Sequence, residues 1–343
     1  MFSWFLVSTI NIHTIFRGRK MFKYITNKKA ILSGKKEINF IDKKIDTEEH
    51  GFVVEIQAIG VCTSDCFNYL YNNTGYFGHE MVGKVLTPYQ NFKKGDLVLL
   101  LHRYGCDNCN QCKLGFSHLC EKPIKTPIGF SKYVVIDENA IKKSVFKLPN
   151  DSKIEEMAFL DSVSCALHCI ERLSLKEKEK DILILGNGFM AIIFYLILKK
   201  MNKRVTIVGS DEQKNNLIRS KNVIEEHNIL SSLKFDVGII TGTNEQFLAK
   251  YINKLKPNSK LMFFNKYREY NFLDFEYIRN NEINIYFSKH TTRECIERAI
   301  VLLHKNKINL SQFINQFNSL DDLEKVINKT LNKEIIRGVL IAK

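Results

Sequence analysis

The run GCDNCNQCKLGFSHLC sets Cys106, Cys109, Cys112 and Cys120 in a C-x2-C-x2-C-x7-C spacing. Tetrahedral zinc takes four thiolates at about 2.3 Å, and so short a run wraps one ion without help from distant sequence. The same thiols could form disulfides in an oxidising compartment. Nothing else in the chain has a secreted character, and a reducing compartment keeps such thiols unpaired. The spacing predicts a closed structural zinc lobe and a cytoplasmic protein.

A second constellation lies upstream, in GVCTSDCFNYLYNNTGYFGHEMVGKV, where Cys62 precedes the pair His79-Glu80. A catalytic zinc needs three protein ligands and one open position, which a thiolate, an imidazole and a later carboxylate would suit. Taken singly these residues say little, because free cysteines are often just buried and a lone histidine is commonly a core or surface residue. Their order carries the signal.

G-x-C-x-S-D, then G-H-E, then the four-cysteine run, then a glycine-rich turn resembles the zinc-containing medium-chain dehydrogenase/reductase family of alcohol and polyol dehydrogenases, from about Lys29 to Lys343. The resemblance implies that Cys62 and His79 bind a catalytic zinc, with Glu80 as a neighbouring acid that can approach or exchange at the metal. It implies that Asp65 orients the imidazole through its other nitrogen and that Ser64 passes a proton. In EEMAFLDSVSCALHCIERL it registers Asp161 on the third ligand position. Cys165, one turn later, is the alternative ligand, and a plain charge at the helix start is the simplest role for Asp161. A carboxylate beside Cys and His suits zinc, so Asp161 is favoured.

From Asp181 the texture becomes DILILGNGFMAIIFYLILKKMNKRVTIVGSDEQK: an apolar strand, a glycine turn, a helix and a second apolar strand. The turn carries G-x-G-x-x-A at Gly186, Gly188 and Ala191, a dinucleotide fingerprint in its proper βαβ setting. Amides at Phe189 and Met190 open the helix and would meet the pyrophosphate. An acid at the end of the second strand selects NAD. The family register puts Gly209 there, followed by Ser210 and Asp211. A small residue, Ser210 and Lys214 favour NADP, while a shift of one residue would put Asp211 on the ribose and favour NAD. Arg337 matches a basic position that touches the pyrophosphate in some relatives.

These motifs need two scaffolds. At 343 residues with 45% hydrophobic content the chain can build two cores. Gly95-Asp96, Leu97 to Leu101 and SKYVVI read as short strands and turns of a β-rich domain. FDVGIITG, SKLMFFN and INIYFSK read as further parallel strands, and Thr291-x-x-Glu294 as a capping box. The expected fold is α/β, a Rossmann doubly wound parallel sheet joined to a GroES-like catalytic domain. The expected divisions are a GroES-like domain over 21–170 with the zinc lobe at 105–121, a nucleotide domain over 171–290, and a return over 291–343. Residues 1–20 have neither the flanks of a signal peptide nor the length of a spanning helix. They are expected to be disordered or upstream of a start at Met21.

The formal charge of +14 admits nucleic-acid binding. Yet the lysines are scattered among Asn and Ile, and no basic helix with interleaved aromatics is present, so neither nucleic acid nor membrane is an expected partner. The resemblance implies two zinc ions per chain, NADP or NAD, a homodimer or homotetramer, and hydride transfer to or from an alcohol or carbonyl. Phe67 stands where many relatives have a relay histidine. The stretch from Asp65 to His79 is short, which widens the pocket toward a polyol, sugar or alditol phosphate. The competing expectations are a non-catalytic relative that keeps only the structural zinc, and a zinc protein associated with nucleic acid.

Overall fold

The computed structural model describes residues 24–47, 51–72, 77–219, 233–265 and 272–342. The expectations for residues 1–20 and Met21 fall outside them. Among the described residues no helix is long and apolar enough to cross a membrane.

The near-continuous apolar runs become a parallel sheet, because strands covered by helices on both faces have no solvent side to make polar. Its order is Arg204–Val208, Asp181–Leu185, Phe235–Ile240, Leu255–Phe263, Asn284–Phe287, every neighbouring pair parallel. Ile182, Leu183, Ile184 and Leu185 are all buried. The chain passes from this strand through the glycine turn into the helix Phe189–Lys200 and back to Arg204–Val208, the expected βαβ unit.

The other large sheet has seven strands. Its path runs Ile314–Phe317, Arg337–Ile341, Val53–Val61, Glu80–Val85, Leu97–Leu100, Val145–Lys147, with Tyr133–Val135 also paired to Val53–Val61. The terminal strand Arg337–Ile341 lies antiparallel to Val53–Val61 with Val339 opposite Gly60, so the end of the chain is built into the sheet that carries Cys62. The helix Leu323–Leu331 lies against this strand so closely that a Cβ at Gly338 would stand 2.2 Å from Val326 Cγ1.

The helix Leu160–Leu173 joins the two sheets. Val163, Ala166, Leu167, Ile170 and Leu173 recur at helical spacing and share one buried cluster with Ile192, Phe194 and Ile197, and with Cys295, Ile296, Ala299 and Leu303 of the helix Arg293–His304. Burying each large apolar side chain contributes roughly 1.5–3 kcal/mol, so this helix is firmly placed and the residues at its first turn with it. One expectation shifts by a residue: the cap of Arg293–His304 is Thr292, whose Oγ1 accepts from Cys295 N at 3.3 Å, rather than Thr291.

Candidate metal and dinucleotide sites

The four clustered cysteines meet as the spacing predicts, their sulfurs all within 4.8 Å of one another. Cys109 Sγ and Cys120 Sγ are 3.8 Å apart. That is far beyond a disulfide bond of about 2.05 Å, and it equals the edge of a tetrahedron with metal–sulfur bonds of about 2.3 Å, roughly 3.8 Å. The backbone amide of Cys106 donates to Cys120 Sγ at 3.3 Å and that of Cys109 to Cys106 Sγ at 3.4 Å. Backbone amides of Glu121 and Cys112 pull the Cys109 thiol down to about 6, while burial pushes Cys112 up to about 12. Gly105 must be small, since a Cβ there would lie 2.9 Å from Cys112 Sγ. The donor set and its spacing fit zinc.

The second cluster is assembled by Asp65. Cys62 ends the strand Val53–Val61 and caps the helix Thr63–Tyr71, where its amide donates to Asp65 Oδ2 at 2.8 Å. Asp65 Oδ1 accepts from Gly78 N at 2.9 Å and lies 3.5 Å from His79 Nδ1. One fully buried carboxylate thus fixes the thiol of one segment and the imidazole of another. Burial works against a charged His79, but Asp65 and Cys62 outweigh it and hold its pKa well above the usual value. Donor atoms of Cys62, His79 and Glu80 all lie within 4.8 Å of one another.

Glu80 is itself held. Its Oε1 accepts from Ser162 Oγ at 2.6 Å and from Arg337 Nη2 at 2.8 Å, and its Oε2 from Arg337 Nη2 at 3.0 Å. Arg337 was expected on a pyrophosphate. The structure puts it in the wall of the same cavity, buried between the rings of Phe159 and Phe189 at 5.4 and 4.8 Å, with its charge spent on Glu80. It sits there because the terminal strand runs beside the one that delivers Cys62. Ser162 gave no signal in the sequence, since its hydroxyl matters only through Glu80.

Asp161 stands at the first turn of its helix and lines the cavity shared by Cys62, His79 and Glu80. Its carboxylate is outside the group of donors within 4.8 Å. Burial pushes its pKa up to about 6, with His79 opposing and Glu80 adding to the shift. Cys165 lines the same wall, and burial together with Asp161 and Glu80 drives its pKa well above the usual thiol value. Ser64 is exposed and does not line the cavity; Thr63, its neighbour at the helix start, does. Phe67 is also exposed, against Tyr71 at 4.6 Å between ring centroids.

This cavity of ≈ 550 Å³ runs on to the glycine turn, past Gly186, Gly188, Phe189 and Met190, and then to Ser210, Asp211 and Lys214. Gly186 has φ +129 and no room for a side chain, since a Cβ would lie 2.5 Å from Gly242 N and from Thr241 Oγ1. A Cβ on Gly188 would meet nothing within 4 Å, so the backbone there is open to a ligand. An open glycine at a helix N-terminus fits a pyrophosphate. A Cβ at Gly209 would lie 2.2 Å from Asn187 Cγ, so the smallness of this residue admits the Asn187 side chain. Asn187 is locked in turn by donating to Asp211 O at 2.7 Å. Asp211 Oδ2 pairs with Lys333 Nζ at 2.8 Å, a contact from the far end of the chain. Thr241, Thr243, Phe247, Phe264 and Asn265 complete the wall, polar and apolar residues too scattered in sequence to be read as one surface.

Residues 48–150 match the alcohol dehydrogenase GroES-like domain. The chain is 26% identical over 209 residues to probable D-xylulose reductase A of Aspergillus clavatus, covering 56% of this chain and 57% of that protein. It is 27% identical over 187 residues to galactitol 1-phosphate 5-dehydrogenase of Escherichia coli K12, covering 51% and 53%. The chain thus spans about half the length of the curated relatives it matches. The crystal structure of L-idonate 5-dehydrogenase from Escherichia coli superposes with a TM-score of 0.81 over 93% of this chain and 99% of that one, at 17% identity. Residues 48–150 are thus similar to the alcohol dehydrogenase GroES-like domain, and the structural likeness shows the fold, a GroES-like domain joined to a Rossmann domain.

Proposed function

We propose that the chain is a zinc-dependent oxidoreductase that moves a hydride between a nicotinamide dinucleotide and a polyol or polyol phosphate. The observation that carries this reading is the opening of the Cys62–His79–Glu80 donor set into the same cavity as the unobstructed Gly188 turn. Cys62, His79 and Asp161 would hold the metal, and Glu80, neutralised by Arg337, would be the acid able to exchange there. When bound, zinc supplies Lewis acidity toward an alcohol or carbonyl oxygen, and the nicotinamide accepts or returns the hydride. Asp65 keeps the thiol and imidazole in register. Thr63 supplies the cavity-facing hydroxyl for a proton, the part expected of Ser64, and with Phe67 turned to solvent the proton leaves through water.

Two finer assignments belong to this proposal. Lys214 and Lys333 outnumber the one carboxylate of Asp211, whose pKa stays low because these lysines outweigh its burial. That balance favours the 2′-phosphate of NADP over NAD. Asp161 also lines a neighbouring cavity of ≈ 380 Å³ with Arg103, Lys143, Arg293, His118 and His290. Arg103 donates from Nη1 to His290 Nε2 at 2.9 Å and from Nη2 to His118 O at 3.4 Å and, among the described residues, has no carboxylate partner. A guanidinium without a carboxylate beside it suits an anionic substrate such as a phosphorylated alditol.

The test is a panel of alditols, alditol phosphates and simple alcohols, read by nicotinamide absorbance with both cofactors, beside zinc analysis. The expected result is turnover of polyols, kcat/KM higher with NADP, and a Cys62→Ser variant that lacks one zinc and all activity. Wild type with zinc at the four-cysteine lobe alone and no turnover would refute it in favour of the non-catalytic relative.

A further inference from the structure

Away from the cavity, toward the far end of the helix Leu160–Leu173, a third set of donors converges. His168 and Glu171 stand three residues apart, and the helix Arg293–His304 brings in Cys295. One donor atom of each lies within 4.8 Å of the other two. Cys295 Sγ donates to Glu171 Oε2 at 3.0 Å. Cys295 is fully buried and His168 is 6% exposed. Among the described residues the His168 Nε2 is buried without a hydrogen-bond partner. Such an orphan forfeits about 1–3 kcal/mol unless something supplies a partner.

We infer that His168, Glu171 and Cys295 form a third metal site, taking zinc or another thiophilic divalent ion and clamping the Asp161 helix to the helix Arg293–His304. A thiolate and an imidazole exclude magnesium and calcium and select zinc or cobalt. For tetrahedral zinc with bonds of about 2.3 Å to sulfur and 2.0 Å to oxygen, the sulfur–oxygen edge is about 3.5 Å. The observed 3.0 Å therefore needs an opening of only about half an ångström, as the thiol proton that now bridges the pair departs. Arg298 already binds Glu171 Oε1, which leaves Oε2 for the metal and orients it. His118, in the cysteine lobe, meets the His168 ring edge-on at 4.7 Å between centroids and is the next imidazole out, with the fourth position otherwise open to water. This inference goes beyond the proposed activity, because none of the three donors lines the catalytic cavity.

The experiment equilibrates the full-length holoprotein with buffered zinc and measures zinc per chain by mass spectrometry, for wild type, Glu171→Gln and Cys295→Ser. Glu171 is exposed, so Glu171→Gln keeps the fold and tests the site independently of any destabilisation in Cys295→Ser. The expected result is one zinc fewer in each variant than in wild type, with unchanged turnover, and a matching loss of thiolate-to-cobalt absorption in Cys295→Ser after cobalt exchange. Equal metal content in wild type and Glu171→Gln, with equal cobalt absorption, would overturn the site. Cys62→Ser in parallel loses a different equivalent, so failure of the catalytic site is told apart from failure of this one.

Discussion

Replacing Arg337 by Met isolates the least replaceable contact of the site. Its guanidinium and the Glu80 carboxylate are 4% and 1% exposed and meet at 2.8 and 3.0 Å. Burying two charges costs several kcal/mol per ion after relaxation, so the intact pair is near neutral against an apolar equivalent, while removing one partner costs about 3–5 kcal/mol. Met retains much of the packing between Phe159 and Phe189 and loses the cation–π attraction, about 2 kcal/mol when desolvated. Arg337→Met should therefore destabilise the GroES-like domain by about 5–7 kcal/mol, the two losses together. The double variant Glu80→Gln/Arg337→Met should recover more than half, because Gln carries no charge and still accepts from Ser162. The assay is urea unfolding of metal-loaded wild type, both single variants and the double, followed by intrinsic fluorescence. A double variant no more stable than Arg337→Met would refute the reasoning and assign the role of Arg337 to packing alone.

The two fingerprint glycines should separate. Gly186→Ala should lose stability, having positive φ and a Cβ clash with Thr241 and Gly242. Gly188→Val should leave the melting temperature within a few degrees yet raise the cofactor KM at least about tenfold by filling the space over the turn. Cys109→Ser should release the lobe metal and lower the melting temperature, as loss of a structural zinc removes folding energy outright; unchanged zinc content would contradict the lobe. Asp181 is held below its usual pKa by Arg204 and Lys256, and Asp236 by Lys256 and backbone amides that outweigh its burial. Lowered carboxylate values give stability that is complete above the unfolded value of about 3.9 and is lost as pH falls through the lowered folded values. The urea midpoint gap between metal-stripped wild type and Asp236→Asn should thus hold constant from neutral pH to about 5 and narrow below about 3.9.

Local chemistry was readable wherever a short stretch carried the whole requirement. The four cysteines close one lobe within sixteen residues, and the turn from Gly186 to Ala191 needs only its own strand and helix, so both were legible. Cys62, His79 and Asp65 were legible because they lie on adjoining segments of one motif. Contacts made by the returning chain were not. Arg337 and Lys333 follow Glu80 and Asp211 by long stretches of sequence, and their partners are fixed by strand Arg337–Ile341 pairing beside Val53–Val61, which no spacing encodes. Gly209 shows a second role that a sequence cannot display, since its smallness also admits the side chain of Asn187.

The same topology explains why Asp161 and Glu80 differ although both are carboxylates beside one histidine. Glu80 extends from a sheet strand whose neighbours put Arg337 and Ser162 on it, so its charge is compensated without a metal. Among the described residues Asp161 has no such hydrogen-bonded partner, and burial, opposed by His79 and Arg103, raises its pKa. A buried carboxylate whose burial outweighs the cations near it gains most from an added cation. That asymmetry supports the proposal that Asp161, more than Glu80, would serve as the resident ligand. It also makes a distinct demand on the metal: Asp161→Asn should lose zinc affinity, whereas Glu80→Gln should retain zinc and alter turnover. Equal zinc loss in both variants would show that the two carboxylates share the ion.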